Sequence, residues 1–481
     1  MSIKLKYLIF IVLMSVLLIP VFQQYTGFIP VKISPLNGFT DSIPKPLFNI
    51  DRWFAGQYQD SLTDWLNQSQ VFRPSLVRLN NQMQYSLYNK TNAAGVVLGK
   101  NRQCFQSDYI YNYTGEFFIG RELIDMRMQR IKFLQDTLQK RGVQLLVVMA
   151  PGKAGYMPEN IPDSMMYTEK TCPENNHDYM VKKLNELNIN HIDLHTYFIE
   201  MKDTASWPLF PTYKVHWSDY GFYLALDTFL TAARNLTHKH IPELKPSHIE
   251  LSNIPRGQDY DIGELMNLIF RLPEKELAYP KFAFDDTAKN PEVDILFVGD
   301  SYVFHWLKNP IPEYLYKHYN FWYYNVMVYP QFYIKNLYNF NLDIPAEVLK
   351  RDIIVLECTE RFLHAFFWNF EEIMYKYLNP AYHSEPLVYH LTDITKDREQ
   401  FLAVYAYARA NNISLKDALW QEAADRAEND APLGSFEFYI NAIKTNKEWL
   451  QKVQQQAIEQ GVELEEMIRR NAQWMVDNDE Y

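Results

Sequence analysis

Two short segments carry side chains whose types could act together as nucleophile and base: KVHW at 214–217 and VGDSY at 298–302. A serine hydroxyl becomes a useful nucleophile only when a base takes its proton. The base in turn needs a group that fixes its tautomer and stabilises its charge. Ser301 follows the hydrophobic run DILFV, so a buried strand would present it at its end, with Gly299 and Asp300 just before it. Asp300 is its backbone neighbour, and that carboxylate would bond loop amides. His216 is the candidate base. It lies in a proline-containing loop just ahead of YGFYLALDTFL, a helix that Ser218 or Asp219 would cap.

Other segments end hydrophobic runs in polar residues. Lys153, in APGKAGY, would stand at the C-terminal end of a strand, where open α/β sheets bind ligands. It would either meet an anionic group there or remain solvated. Glu360 and Arg361 close the run IIVLECT, as a buried ion pair or as a cap on the cleft.

The elements that must hold these residues are legible. Ile124, Met128, Ile131, Leu134 and Leu138 make an apolar stripe at helical spacing, and VQLLVVMA follows as a continuous buried strand. HDYMVKKLNELN reads as a helix, INHIDL as a strand, 219–234 as a helix, and VDILFVG and DIIVLEC as strands. This alternation predicts a mostly parallel sheet flanked by helices. After residue 385 the composition turns to Ala, Glu, Gln and Lys with helical periodicity. ISLKDALWQEA, from Ile413, aligns with VELEEMIRRNA, from Val462, which predicts a paired-helix module.

The chain has 481 residues, enough for two or three domains, and its hydrophobic fraction of 47% excludes a disordered or fibrous protein. With a formal charge of −11 and no basic stripe, nucleic acid is excluded as a partner. Cys104, Cys172 and Cys358 show no metal-ligand spacing; they are three thiols, or one disulfide and a thiol. No metal site and no soluble cofactor is implied. Lys4 and Lys6 precede an uncharged run from Tyr7 to Phe22, the asymmetry that keeps an N-terminus in the cytoplasm. We expect a signal anchor over 1–22, a linker and extension over 23–90, an α/β domain over 91–384 and the helical module over 385–481. The body would then lie outside the cytoplasm, held to the membrane by one N-terminal helix.

In this order the segments resemble the periplasmic SGNH-hydrolase-like O-acetyltransferases of the alginate-acetylation type. There an Asp-x-His-Trp segment lies upstream of Gly-Asp-Ser, as KVHW lies upstream of VGDSY here. VVLGKNRQCF resembles that family's Gly-Lys-Asp-Gly segment, VMAPGKAGYMPE its Pro-x-Lys segment, and IIVLECTERFL its late strand ending in Glu-Arg. The resemblance spans about 90–365 and is absent from the C-terminal module. It implies an SGNH-like fold and Ser301 as the residue that takes an acetyl group from a membrane-bound O-acyltransferase. It also implies His216 as base and then acid, and an exported polysaccharide as acceptor. Aromatic faces suit sugar rings, and Trp217, which the family keeps, is the leading candidate for such a contact.

One departure matters. Where the family has its triad aspartate, this chain has Lys214, and a cation there opposes formation of an imidazolium. Either another acid serves, from among Asp219, Asp193, Asp259 and Asp261, or a Ser301–His216 dyad works alone, or the cleft only binds polysaccharide. An esterase that uses water as acceptor needs the same nucleophile and base, so sequence does not separate it from a transferase.

Overall fold

The structure, a computed structural model, describes residues 3–28, 34–38, 43–168, 172–245, 248–285 and 290–477. The outermost residues of the expected anchor and C-terminal module, and parts of the expected linker, lie outside these.

Six strands make the central sheet: β1 (Gln144–Ala150), β2 (His191–Asp193), β3 (Val293–Gly299), β4 (Tyr316–Tyr323), β5 (Met327–Tyr329) and β6 (Ile353–Thr359). They lie in the order β2-β1-β6-β3-β4-β5. Every neighbouring pair is parallel except β4 with the edge strand β5. The mostly parallel sheet expected from the alternating elements is therefore present.

The inner strands read as unbroken hydrophobic runs because both of their faces are covered. Leu145, Val147 and Met149 of β1 join one apolar cluster, with Ile354 and Leu356 of β6. Leu146 and Val148 join the other, with Ile353 and Val355. On the first face packs α1 (Arg121–Gln139), whose Ile124, Met128, Ile131, Leu134 and Leu138 are all fully buried. On the second packs α2 (Asp219–Thr237) through Phe222, Leu226, Phe229 and Leu230. Each such side chain contributes about 1.5–3 kcal/mol when fully buried.

The C-terminal residues form two three-helix units. Pro386–Lys396, Arg398–Asn411 and Leu415–Asn429 pack against the sheet domain, and their Leu391, Phe401 and Leu419 enter its first cluster. Phe436–Thr445, Lys447–Gln460 and Leu464–Asp477 enclose a separate small core. The aligned Ala423 and Ala472 are both fully buried, each in its own unit.

At the other end, Ile3–Thr26 is helical and many of its apolar side chains stand exposed. Among the described residues no helix is long and apolar enough to cross a membrane, which departs from the expected anchor. The uncharged run Tyr7–Phe22 extends about 24 Å as a helix, short of the roughly 30 Å hydrocarbon core.

Candidate functional site

Strand β3 ends at Gly299, and the chain turns at once into a 3-10 segment, Ser301–His305. Asp300 organises that turn. Its Oδ1 accepts from the Tyr302 amide at 2.9 Å, and its Oδ2 accepts from the amide and hydroxyl of Thr359, at the end of β6, at 3.0 and 2.5 Å. Glycine is required just before it, because a Cβ on Gly299 would lie 2.6 Å from Oε2 of Glu357. That same oxygen accepts the Asp300 amide at 3.0 Å. Burial, reinforced by the Asp300 charge, pushes the Glu357 carboxyl well above the usual carboxylate range.

The His216 loop is held in place by groups distant in sequence. Ser218 caps α2, accepting from the Gly221 amide at 2.9 Å. Lys153 does not meet solvent as one sequence reading allowed. Its ammonium is buried and donates to the carbonyls of Pro211 and Thr212 at 2.7 Å each and of Lys214 at 3.4 Å. Burial lowers its pKa to about 8. Glu274, which no sequence signal marked, accepts from the Thr212 and Tyr213 amides at 2.9 and 3.3 Å.

Held this way, His216 places Nε2 2.7 Å from Oγ of Ser301. Of the four candidate acids, the structure brings Asp261 to the other ring nitrogen. Its Oδ2 lies 3.6 Å from Nδ1, a contact that orders charge but is longer than a hydrogen bond. Asp261 opens the short helix α3 (Asp261–Leu265), and its Oδ1 accepts from the amides of Val215 and Ile262 at 3.0 and 2.6 Å. The Ile262 amide in turn donates to the Tyr213 carbonyl at 3.0 Å, docking α3 onto the His216 loop.

Lys214 points elsewhere. Its ammonium pairs with Asp259 at 2.6 Å, both side chains almost wholly buried. The segment GQDYDIG therefore supplies two carboxylates with separate tasks, one neutralising Lys214 and one facing His216. Asp219 instead meets Lys308 at 2.7 Å. Asp193 lies in a different cluster, 3.0 Å from Nε2 of His177, and caps the helix Leu194–Met201. Neither touches His216, because each carboxylate is engaged by another partner, Lys308 for Asp219 and His177 for Asp193.

Trp217 is also not where the sequence reading put it. Its side chain has no solvent exposure and packs among Phe198, Phe222, Tyr302 and Trp306, so no sugar reaches it. Glu360 and Arg361 do not pair with each other. Glu360 turns inward, with Oε2 3.9 Å from Nδ1 of His195, while Arg361 lines the cleft and donates to Asp108 at 3.2 Å. All three cysteines are free thiols.

Ser301 and His216 open into a cleft of about 1150 Å³, also lined by Phe304, Tyr324, Tyr333 and Phe362. A serine at the C-terminal end of a parallel strand, with a histidine on its hydroxyl and a carboxylate beyond, is the arrangement of an SGNH hydrolase-like domain. Comparison with known proteins agrees. Residues 96–321 match the family model described as SGNH hydrolase-like domain, acetyltransferase AlgX.

Among solved structures, the O-acetyltransferase domain of Pseudomonas putida AlgJ is 18% identical, with 56% of this chain and 92% of that one covered at a TM-score of 0.37. Pseudomonas aeruginosa AlgX is 13% identical, covering 55% and 62% at 0.34. Bacillus cereus PatB1 is 12% identical, covering 51% and 92% at 0.33. No curated protein matches the chain.

Proposed function

We propose that this protein transfers an acyl group, most simply acetyl, to a hydroxyl of an exported polysaccharide through Ser301. The observation that carries the reading is the 2.7 Å contact of His216 Nε2 with Ser301 Oγ, backed by Asp261 on the far ring nitrogen. His216 takes the proton as Oγ attacks the donor's carbonyl carbon. The oxyanion faces the backbone N–H of Ser301. Collapse breaks the bond to the leaving group, which His216 protonates, and acyl-Ser301 remains. A sugar hydroxyl then gives its proton to His216, attacks the same carbon and releases the serine. Asp261 stabilises the imidazolium formed in each half, and Asp259 removes the opposing charge of Lys214.

By the family resemblance the donor would be a membrane-bound O-acyltransferase and the body would lie outside the cytoplasm. The charge asymmetry of the N-terminal sequence supports that placement.

The test is mass spectrometry of intact wild type and Ser301→Ala after incubation with p-nitrophenyl acetate. One acetyl adduct on the wild type alone is the expected result. Absence of an adduct from both proteins would reduce the site to a binding cleft. Discharge of the adduct to water but to no oligosaccharide would make the protein an esterase.

A further inference from the structure

We propose that the acceptor of this cleft is an uncharged glycan rather than a polyuronate or other polyanion. The inference rests on the acyl-transfer reading of Ser301 and concerns the chain that would lie across it.

A groove that binds a uronate chain needs cations with coordination to spare. Here each lysine and arginine lining the cleft already faces a carboxylate. Lys214 pairs with Asp259 at 2.6 Å, Lys308 with Asp219 at 2.7 Å, and Arg361 with Asp108 at 3.2 Å, a carboxylate it shares with Arg398 at 2.6 Å. Arg256 and Lys281 share Glu250, at 2.8 and 3.0 Å. Asp261 and Glu264 add carboxylates to the lining that form no ion pair with a lysine or arginine among the described residues, while Asp261 faces His216.

A uronate carboxylate entering this cleft would have to displace one of these pairings, leaving the displaced aspartate or glutamate turned toward the ligand. Like charges brought together at an interface repel and weaken binding. The ion pairs on the rim are worth little in themselves, so the discrimination comes from this repulsion and not from their strength. The chain's net charge of −11 acts in the same direction at longer range.

What the cleft offers instead is aromatic surface. Phe304, Tyr324, Tyr333 and Phe362 line it, and Tyr333 is 74% exposed at its mouth. Such rings take the C–H faces of a pyranose, while the paired side chains still offer hydrogen bonds to hydroxyls.

The experiment uses the full-length Ser301→Ala variant, which binds without turnover. It is titrated with two hexamers that differ only at C6, β-1,4-linked glucose and β-1,4-linked glucuronic acid. The expected result is affinity for the glucose hexamer about tenfold or more above that for the glucuronic acid hexamer, with little dependence on salt. Asp219→Asn, which releases Lys308, should raise affinity for the acidic hexamer severalfold and so narrow the gap between the two hexamers. Equal or tighter binding of the acidic hexamer overturns the inference, as does failure of both to bind at millimolar concentration. The acetyl adduct on the wild type is read separately. Its absence would remove the enzyme reading while leaving the preference between hexamers standing or falling on the titration.

Discussion

His216 and His177 sit in the same domain, each between polar partners, and the way those partners are used differs. His177 spends both ring nitrogens on carboxylates, Asp178 and Asp193, at 3.0 Å each, and lies buried against the His195 ring at 4.3 Å. Nothing is left for a substrate. Burial alone would lower the His177 pKa, but its hydrogen bonds to Asp178 and Asp193 outweigh that and raise it to about 9. Nearby Glu360 is pushed up to about 7 by burial, and His195 down to about 3 by the same cause. This is a charge cluster around two buried histidines that ties β2 to the helices around it, with Asp178 at its exposed edge. His216 has a hydroxyl on one nitrogen, a carboxylate held off at 3.6 Å on the other, and an open cleft in front. Two histidines of similar composition are separated by whether a nitrogen remains available to a moving proton.

The comparison breaks most visibly at the acid. Asp261→Asn should cut turnover of an activated ester by about 10²–10⁴, the scale of losing a triad carboxylate, with thermal stability nearly unchanged. Equal loss from Asp193→Asn would erase the distinction drawn here. Asp259→Asn should act on stability instead. It strands a buried ammonium, a loss of about 3–5 kcal/mol, read as a lower denaturation midpoint. Replacing Lys214 by Met in the same protein should recover much of it.

For His177 the sign follows from a folded pKa raised from 6.5 to about 9. Its stabilisation is complete below the unfolded value and is lost as pH rises through the folded one. The melting temperature gap between wild type and His177→Gln should therefore be widest near pH 6 and shrink by pH 10, whereas kcat should hardly move. Trp217→Phe should have the smallest effect. It is a packing change of about 1–2 kcal/mol with no change in acceptor KM, since the indole is sealed in the core. A large KM effect would return Trp217 to the sugar path.

Much of the fold was legible because the strands are unbroken apolar runs. VDILFVG is β3 to the residue, and the stripe from Ile124 to Leu138 is the buried face of α1. Ser301 and His216 were legible because each sits at the end of an element that the sequence announces. The acid was narrowed to four candidates and no further. Which carboxylate reaches Nδ1 depends on how the segment 253–263 folds back, and that is set by a carbonyl of Tyr213 that no side-chain pattern reveals. Lys214 looked like an intruder on the histidine because its partner, Asp259, comes from that same returning segment. Trp217 was misplaced for a related reason. Adjacency to His216 in sequence puts successive side chains on opposite sides of the loop, one toward the cleft and one into the core.

The Lys153 tether has a consequence for how such a site tolerates change. All three of its acceptors are main-chain carbonyls, so its grip on the loop is indifferent to which side chains residues 211–214 carry. Position 214 could then exchange an acid for a lysine without moving the base, provided a carboxylate arrived from another segment. The address of His216 is written in backbone, and that leaves the identity of its helper free to migrate.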